Sequence, residues 1–242
     1  MGKLSVIGIG PGNRDNLTFG ADKALRNAEV IVGYTLYINL IRDSYPGKEF
    51  ISTPMTKEAE RCRTALDLAS RGKNTALVCS GDSGIYGMAG LVYELRGPSD
   101  EPEIEVIPGI TSASGGSALL GAPLTHDFAV ISLSDRLTDW NKIVCRLESA
   151  AKADFCIVLY NPASKGRPDH LKKACDILLS VLPEDLPCGA AHAIGREGES
   201  FQVLTLRELR DYPADMFCTI FIGNSSTHVI EGKLVTPRGY HL

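Results

Sequence analysis

The residues whose types and spacing point most directly to chemistry are Gly81-Asp82-Ser83-Gly84-Ile85-Tyr86-Gly87. This stretch follows the apolar run 75–80 and leads into a helix-like segment, 88–95. A strand that breaks at glycines and turns into a helix is how open α/β folds build ligand sites at strand carboxyl ends. The three glycines let a ligand approach the main chain, and Asp82 supplies the one charged side chain. Asp is also a common helix N-cap. Ser83 would cap as well, and the glycines need another reason, so the spacing favours a small-molecule site.

Three further loops share the pattern of strand, then small or polar residues. Pro108-Gly109-Ile110-Thr111-Ser112-Ala113 precedes a small-residue helix and, taken alone, reads equally as tight helix packing. Asn161-Pro162-Ala163-Ser164-Lys165-Gly166-Arg167 and Ala193-Ile194-Gly195-Arg196-Glu197-Gly198 each end a strand. Together the four loops suit one cleft between two domains, a common place for a ligand pocket. Gly8-Ile9-Gly10-Pro11-Gly12-Asn13 departs from the dinucleotide fingerprint: Asn13 stands where the third glycine belongs, and Pro11 removes an N–H. It serves equally as a tight turn with no ligand. There is no P-loop and no G-x-S-x-G nucleophile turn. A trypsin-like serine at Ser83 would need an earlier histidine, whereas the first is His126.

These loops need a scaffold, and the pattern predicts one. Strands are expected at 4–9, 29–32, 75–80 and 103–107, with helices at 18–28, 35–41, from 56 onward, at 88–95 and at 113–120. Such alternation argues a mostly parallel sheet covered on both faces. After a break at Gly121-Ala122-Pro123, strands are expected at 129–133, 155–160, 188–194, 201–206 and 219–222, with helices at 140–151 and 169–179. The architecture expected is two α/β domains with a ligand cleft between them: residues 1–122, and residues 123–242, richer in strand.

The totals exclude several classes. In 242 residues, 44% are hydrophobic and 22% charged, ordinary for a globular protein, and the net charge of −4 gives no basic field to draw nucleic acid or membrane. No apolar run approaches the roughly 20 residues of a membrane helix, and 4–9 is too short for a signal core. The seven cysteines include no C-x-x-C pair and the histidines no H-E-x-x-H, so no metal site is expected. Scattered thiols in apolar runs read as reduced core residues of a cytoplasmic protein.

On the motifs Val6-Ile7-Gly8-Ile9-Gly10-Pro11-Gly12, Gly81 to Gly87 and Pro108 to Ala113, the chain resembles the tetrapyrrole methylases across essentially its whole length. Within that family it is most similar to the branch that methylates C17 of precorrin-3B or cobalt-factor III. The narrower likeness rests on Val32-Gly33-Tyr34, Gly87-Met88-Ala89-Gly90-Leu91, Ile131-Ser132-Leu133-Ser134-Asp135, Tyr160-Asn161-Pro162 and Thr236-Pro237-Arg238-Gly239-Tyr240.

The resemblance implies S-adenosylmethionine as cofactor, with contacts at Pro11, Ser80, Gly81, Asp82, Ile85, Thr111, Ser112, Asn161 and Gly195. It implies a carboxylate-rich tetrapyrrole substrate, for which the basic loop residues Arg136, Lys165, Arg167 and Arg196 are candidates, and a homodimer. Methyl transfer is coupled in this branch to ring contraction, which needs proton transfer. Tyr86, His126, Asp127 and Lys165 are candidates of equal weight for that role. Many family members carry proline where this chain has Ser83, which implies a freer turn here. Methylation at another ring carbon, a diphthine-type protein methylase and a non-catalytic tetrapyrrole carrier are the alternatives; turnover and substrate separate them.

Overall fold

The computed structural model describes residues 2–240. The chain divides into two compact units, the first ending at Thr111 and the second beginning at Ser112. The boundary expected at residue 122 therefore moves forward, and the small-residue helix goes with the second unit.

The first unit is built from β1 (Lys3–Gly8), α1 (Phe19–Asn27), β2 (Val30–Tyr34), α2 (Thr35–Ile41), β3 (Glu49–Thr53), α3 (Glu58–Ser70), β4 (Thr75–Cys79), α4 (Ala89–Arg96) and β5 (Glu103–Ile107). The strands form one sheet in the order β3-β2-β4-β1-β5, parallel throughout. Apolar side chains alternate onto two cores. Leu4, Val6, Val30, Val32 and Leu77 pack against Cys62, Ala65 and Ala69 of α3 and Val92 of α4. Ile7, Ile31, Ala76 and Val78 pack on the other face against Ala21, Leu25 and Ile38. A strand buried on both faces reads as a continuous apolar run, which is why β1, β2 and β4 are plain in the sequence. Strand β3 is not, because Glu49 and Ser52 break its pattern at the sheet edge.

The second unit comprises α5 (Ser112–Leu120), β6 (Gly121–Ala122), β7 (Phe128–Ser132), α6 (Trp140–Lys152), β8 (Cys156–Tyr160), α7 (His170–Leu178), β9 (Pro187–His192), β10 (Ser200–Thr205), α8 (Leu206–Leu209), β11 (Cys218–Ile222), β12 (His228–Ile230) and β13 (Lys233–Val235). Its main sheet runs β10-β9-β11-β8-β7. Strands β7 and β8 are parallel, and every other neighbour pair in it is antiparallel. Helices α6, α7 and α8 cover one face around Ile143, Leu147, Leu171, Leu178 and Leu206.

Helix α5 covers the other face with Leu120 against Val158, Phe221 and Leu234. Gly116 serves that packing: a methyl group on it would sit 2.7 Å from the Phe221 ring. Strand β6 pairs in parallel with β13, Leu234 opposite Gly121, so the supposed linker at 121–122 is a strand of this unit's small second sheet. The sequence pattern missed β6, β12 and β13 because each is only two or three residues long.

Candidate functional site

In the first unit the carboxyl ends of the adjacent strands β4, β1 and β5 carry the three glycine motifs side by side. The loops are welded together through the main chain. Gly10 and Gly81 form a bridge, with Gly81 N–H donating to Gly10 C=O at 2.7 Å and Gly10 N–H to Gly81 C=O at 3.1 Å. A Cβ on Gly8 would lie 2.6 Å from Gly109 N, and one on Gly109 would lie 2.1 Å from Gly81 O. Gly87 is equally crowded: a Cβ there would lie 2.2 Å from Ser83 O. These glycines let backbone approach backbone, whereas the sequence reading had them admit a ligand.

Asp82 completes the weld. Its Oδ1 accepts from Gly84 N–H at 2.7 Å and from Ile85 N–H at 2.9 Å, and its Oδ2 accepts from Gly109 N–H at 2.9 Å. One carboxylate thus caps its own turn and ties the loop after β4 to the loop after β5. Ser83 is fully buried and donates to Ile107 C=O at 2.8 Å. The freer turn expected from its departure from proline is not found, because the hydroxyl replaces ring rigidity with a buried anchor.

What this platform leaves outward is Ile85, 44% exposed, and Tyr86, 56% exposed and at φ +54. Pro11 and Gly81 are buried, while Ser80 and Thr111 are half-buried and each makes a contact.

In the second unit, the carboxyl ends of β7, β8 and β9 and the amino ends of β10 and β11 share one end of the main sheet, as the registers require. Ser132, Asn161, Arg167 and Gly195 gather there. Asn161, at φ +55, donates from Nδ2 to Ser132 Oγ at 2.9 Å. Arg167 is half-buried and spoken for: Nη1 donates to Ser134 Oγ at 2.7 Å and lies 3.5 Å from Asp135 Oδ1. Buried His170 places Nε2 3.2 Å from Asp135 Oδ2 and sets its ring edge-on to Trp140 at 4.8 Å. That imidazole, ahead of the nearby guanidinium, holds the Asp135 carboxyl below the usual range. Arg167, a candidate for substrate, braces the loops after β7 and β8.

Arg136 and Lys165 are exposed and form no ion pair among the described residues. Arg196 lies over the Phe217 ring at 5.6 Å and makes a further contact. Gly195, at φ +67, donates its N–H to Glu199 at 2.6 Å. His126 and Asp127 sit at the amino end of β7, across from the amino end of β8, where Cys156 N–H donates to Asp127 C=O. The structure therefore places these two proton-transfer candidates at the opposite end of the sheet from Asn161.

No metal spacing is visible in the sequence, yet the fold brings His192, Asp215 and Cys218 together, their ligand-type atoms within 4.8 Å of one another. Burial pushes the Cys218 thiol up to about 11, and as a thiol it donates to Asp215 Oδ1 at 3.3 Å, closing the group on itself.

The family model of Tetrapyrrole (Corrin/Porphyrin) Methylases matches residues 3–210. The chain belongs to that family. It is 46% identical over 240 residues to a probable cobalt-factor III C(17)-methyltransferase of Salmonella typhimurium, covering 99% of this chain and 100% of the relative. It is 37% identical to a precorrin-3B C(17)-methyltransferase of a Sinorhizobium species, covering 99% and 97%. Among solved structures, that of the methyltransferase CobJ superposes with a TM-score of 0.92 at 33% identity, covering 98% of this chain and 100% of that one. This methylase fold is shared with a uroporphyrin-III C-methyltransferase of Thermus thermophilus complexed with S-adenosylhomocysteine, at a TM-score of 0.73 and 20% identity, covering 92% and 97%. No described helix of this methylase is long and apolar enough to cross a membrane.

Proposed function

We propose that this methylase transfers the methyl group of S-adenosylmethionine to C17 of a corrin precursor, with contraction of the macrocycle. The observation that carries the reading is full-length identity of 46% to a relative named for that reaction on cobalt-factor III, with CobJ as a structural counterpart. The cobalt form is the preferred substrate. The relatives named for it match at 46% and 42%, against 37% for the relative named for precorrin-3B.

In this reading Pro11, Ser80, Gly81, Ile85 and Thr111 of the first unit, with Ser112, Asn161 and Gly195, receive the cofactor. Asp82 serves by accepting from three backbone N–H groups rather than as a base. The platform suits the cofactor's chemistry. S-adenosylmethionine carries no phosphate, so no pyrophosphate-binding helix end is required. The exposed Ile85 side chain offers apolar surface, favourable to an adenine ring. Transfer is an in-line displacement: the ring carbon's electron pair forms the new C–C bond, the S–CH₃ bond breaks, and S-adenosylhomocysteine leaves. The protein's share is alignment and exclusion of water. Arg136 and Lys165 are the free cations for substrate carboxylates. Tyr86 and Lys165 remain proposed for the proton steps, and the active species is proposed to be a cytoplasmic homodimer.

Anaerobic incubation with S-adenosylmethionine and either cobalt-factor III or precorrin-3B, read by mass spectrometry, tests this. One added methyl group on the cobalt substrate is expected. Methylation of precorrin-3B alone would reverse the substrate preference, and methylation of neither by protein that binds cofactor would overturn the proposal.

A further inference from the structure

Arg61 is a buried cation with no anion among the described residues. It lies in the first turns of α3, is 3% exposed, and makes no ion pair among the described residues. Its acceptors are all neutral. Nε donates to Thr53 Oγ1 at 2.8 Å, Nη2 to Pro54 C=O at 3.0 Å, and Nη1 reaches Met88 Sδ at 3.5 Å, with the Tyr34 ring 5.9 Å from Cζ. A guanidinium has five N–H donors and keeps its charge at every physiological pH. Three donors are engaged here, one of them weakly by sulfur. Burying a charge costs several kcal/mol unless an opposite charge and full hydrogen bonding offset it. In most proteins a buried arginine faces a carboxylate, and among the described residues this one does not.

Its position says what is missing. Tyr34 ends β2, Thr53 ends β3, and Met88 follows the loop after β4, so the guanidinium sits under the carboxyl edge of β3-β2-β4. That half of the edge adjoins the glycine platform of β4-β1-β5, and carboxyl edges of parallel sheets are where ligands of open α/β folds lie. We propose that Arg61 is a substrate-binding residue: a carboxylate of the tetrapyrrole supplies its counter-charge at the rim formed by Tyr34, Pro54 and Met88. This rests on the tetrapyrrole reading above and adds a residue that none of the sequence motifs singled out.

The test uses the intact protein, with uroporphyrin III as a fluorescent octacarboxylate that is bound without turnover, and S-adenosylhomocysteine as the cofactor probe. Arg61→Met keeps length and apolar packing and removes the charge. It is expected to melt at or above the wild-type temperature, as replacement of uncompensated buried charge allows. It should bind S-adenosylhomocysteine as wild type does and bind uroporphyrin at least about 30-fold more weakly, the loss carried by truncating a desolvated charge pair. Arg61→Lys, a point charge without the fork, should fall between the two. Uroporphyrin binding by Arg61→Met equal to wild type would overturn the proposal while leaving the tetrapyrrole reading intact. A lowered melting temperature with loss of both ligands would overturn it in favour of a purely structural arginine. Failure of the wild-type protein itself to bind uroporphyrin would remove the tetrapyrrole reading and this inference with it.

Discussion

At the scale of single residues, the site depends on atoms that never need to touch substrate. Asp82 is the clearest case, since three main-chain N–H groups converge on its carboxylate. Asp82→Asn keeps one acceptor oxygen but turns an NH₂ toward a donor, and leaves either Gly109 or the 84–85 turn unpaired. The expected cost is about 1–3 kcal/mol in urea denaturation, together with weaker S-adenosylhomocysteine binding by calorimetry. Wild-type affinity with lowered stability would mean that the weld does not shape the cofactor site. Gly109→Ala places a methyl group 2.1 Å from Gly81 O. A clash with backbone cannot relax as one with a flexible side chain does, so a loss of about 3 kcal/mol is expected. Gly90→Ala, with open space around it, serves as the control that should change little or gain slightly in its helix.

At the scale of elements, the loops after β7 and β8 act as one body through Asp135, Arg167 and His170. Because Asp135 titrates below its unfolded value, the stability it contributes is present above the unfolded pKa and is lost as pH falls through the folded one. Denaturation followed across the acid range should therefore show part of the decline below about pH 4 disappear in Asp135→Asn. An unchanged acid limb would mean that the pair is too well screened by solvent to matter. In the sequence Arg167 stands two residues from Lys165 in a polar loop that follows an apolar strand, and from that it reads as a ligand for substrate. Nothing in the chain order says that Ser134 and Asp135, some thirty residues away, would reach it first. Only the parallel pairing of β7 with β8 brings them together. Likewise Gly121-Ala122 reads as a break in the pattern, and becomes a strand only when residues 234–235 lie beside it.

At the scale of the whole molecule, the protein is held together by apolar burial with its thiols inside. Six of the seven cysteines are buried, none is in a disulfide, and Cys145 alone is exposed. Burial raises the Cys79 and Cys175 thiols to about 12 and Cys62 to about 11. A thiol reagent at pH 8 should modify one cysteine in the native protein and all seven after unfolding. Fast labelling of two or more in the native state would show that the core opens on the timescale of the reaction.

The alternation of strand and helix, the apolar strands buried on both faces and the places where glycine loops follow them were legible in the sequence, because each is a local pattern that hydrophobic burial imposes on neighbouring residues. The family followed from those same loops. What the tertiary structure alone decided is who pairs with whom: Asp82 with Gly109, Ser83 with Ile107, Arg167 with Ser134, and Arg61 with no anion among the described residues. A carboxylate or guanidinium reads the same in a string of letters whether it meets water, a backbone amide or a substrate. Its role is set by the few ångströms around it, and those belong to strands far apart in the chain.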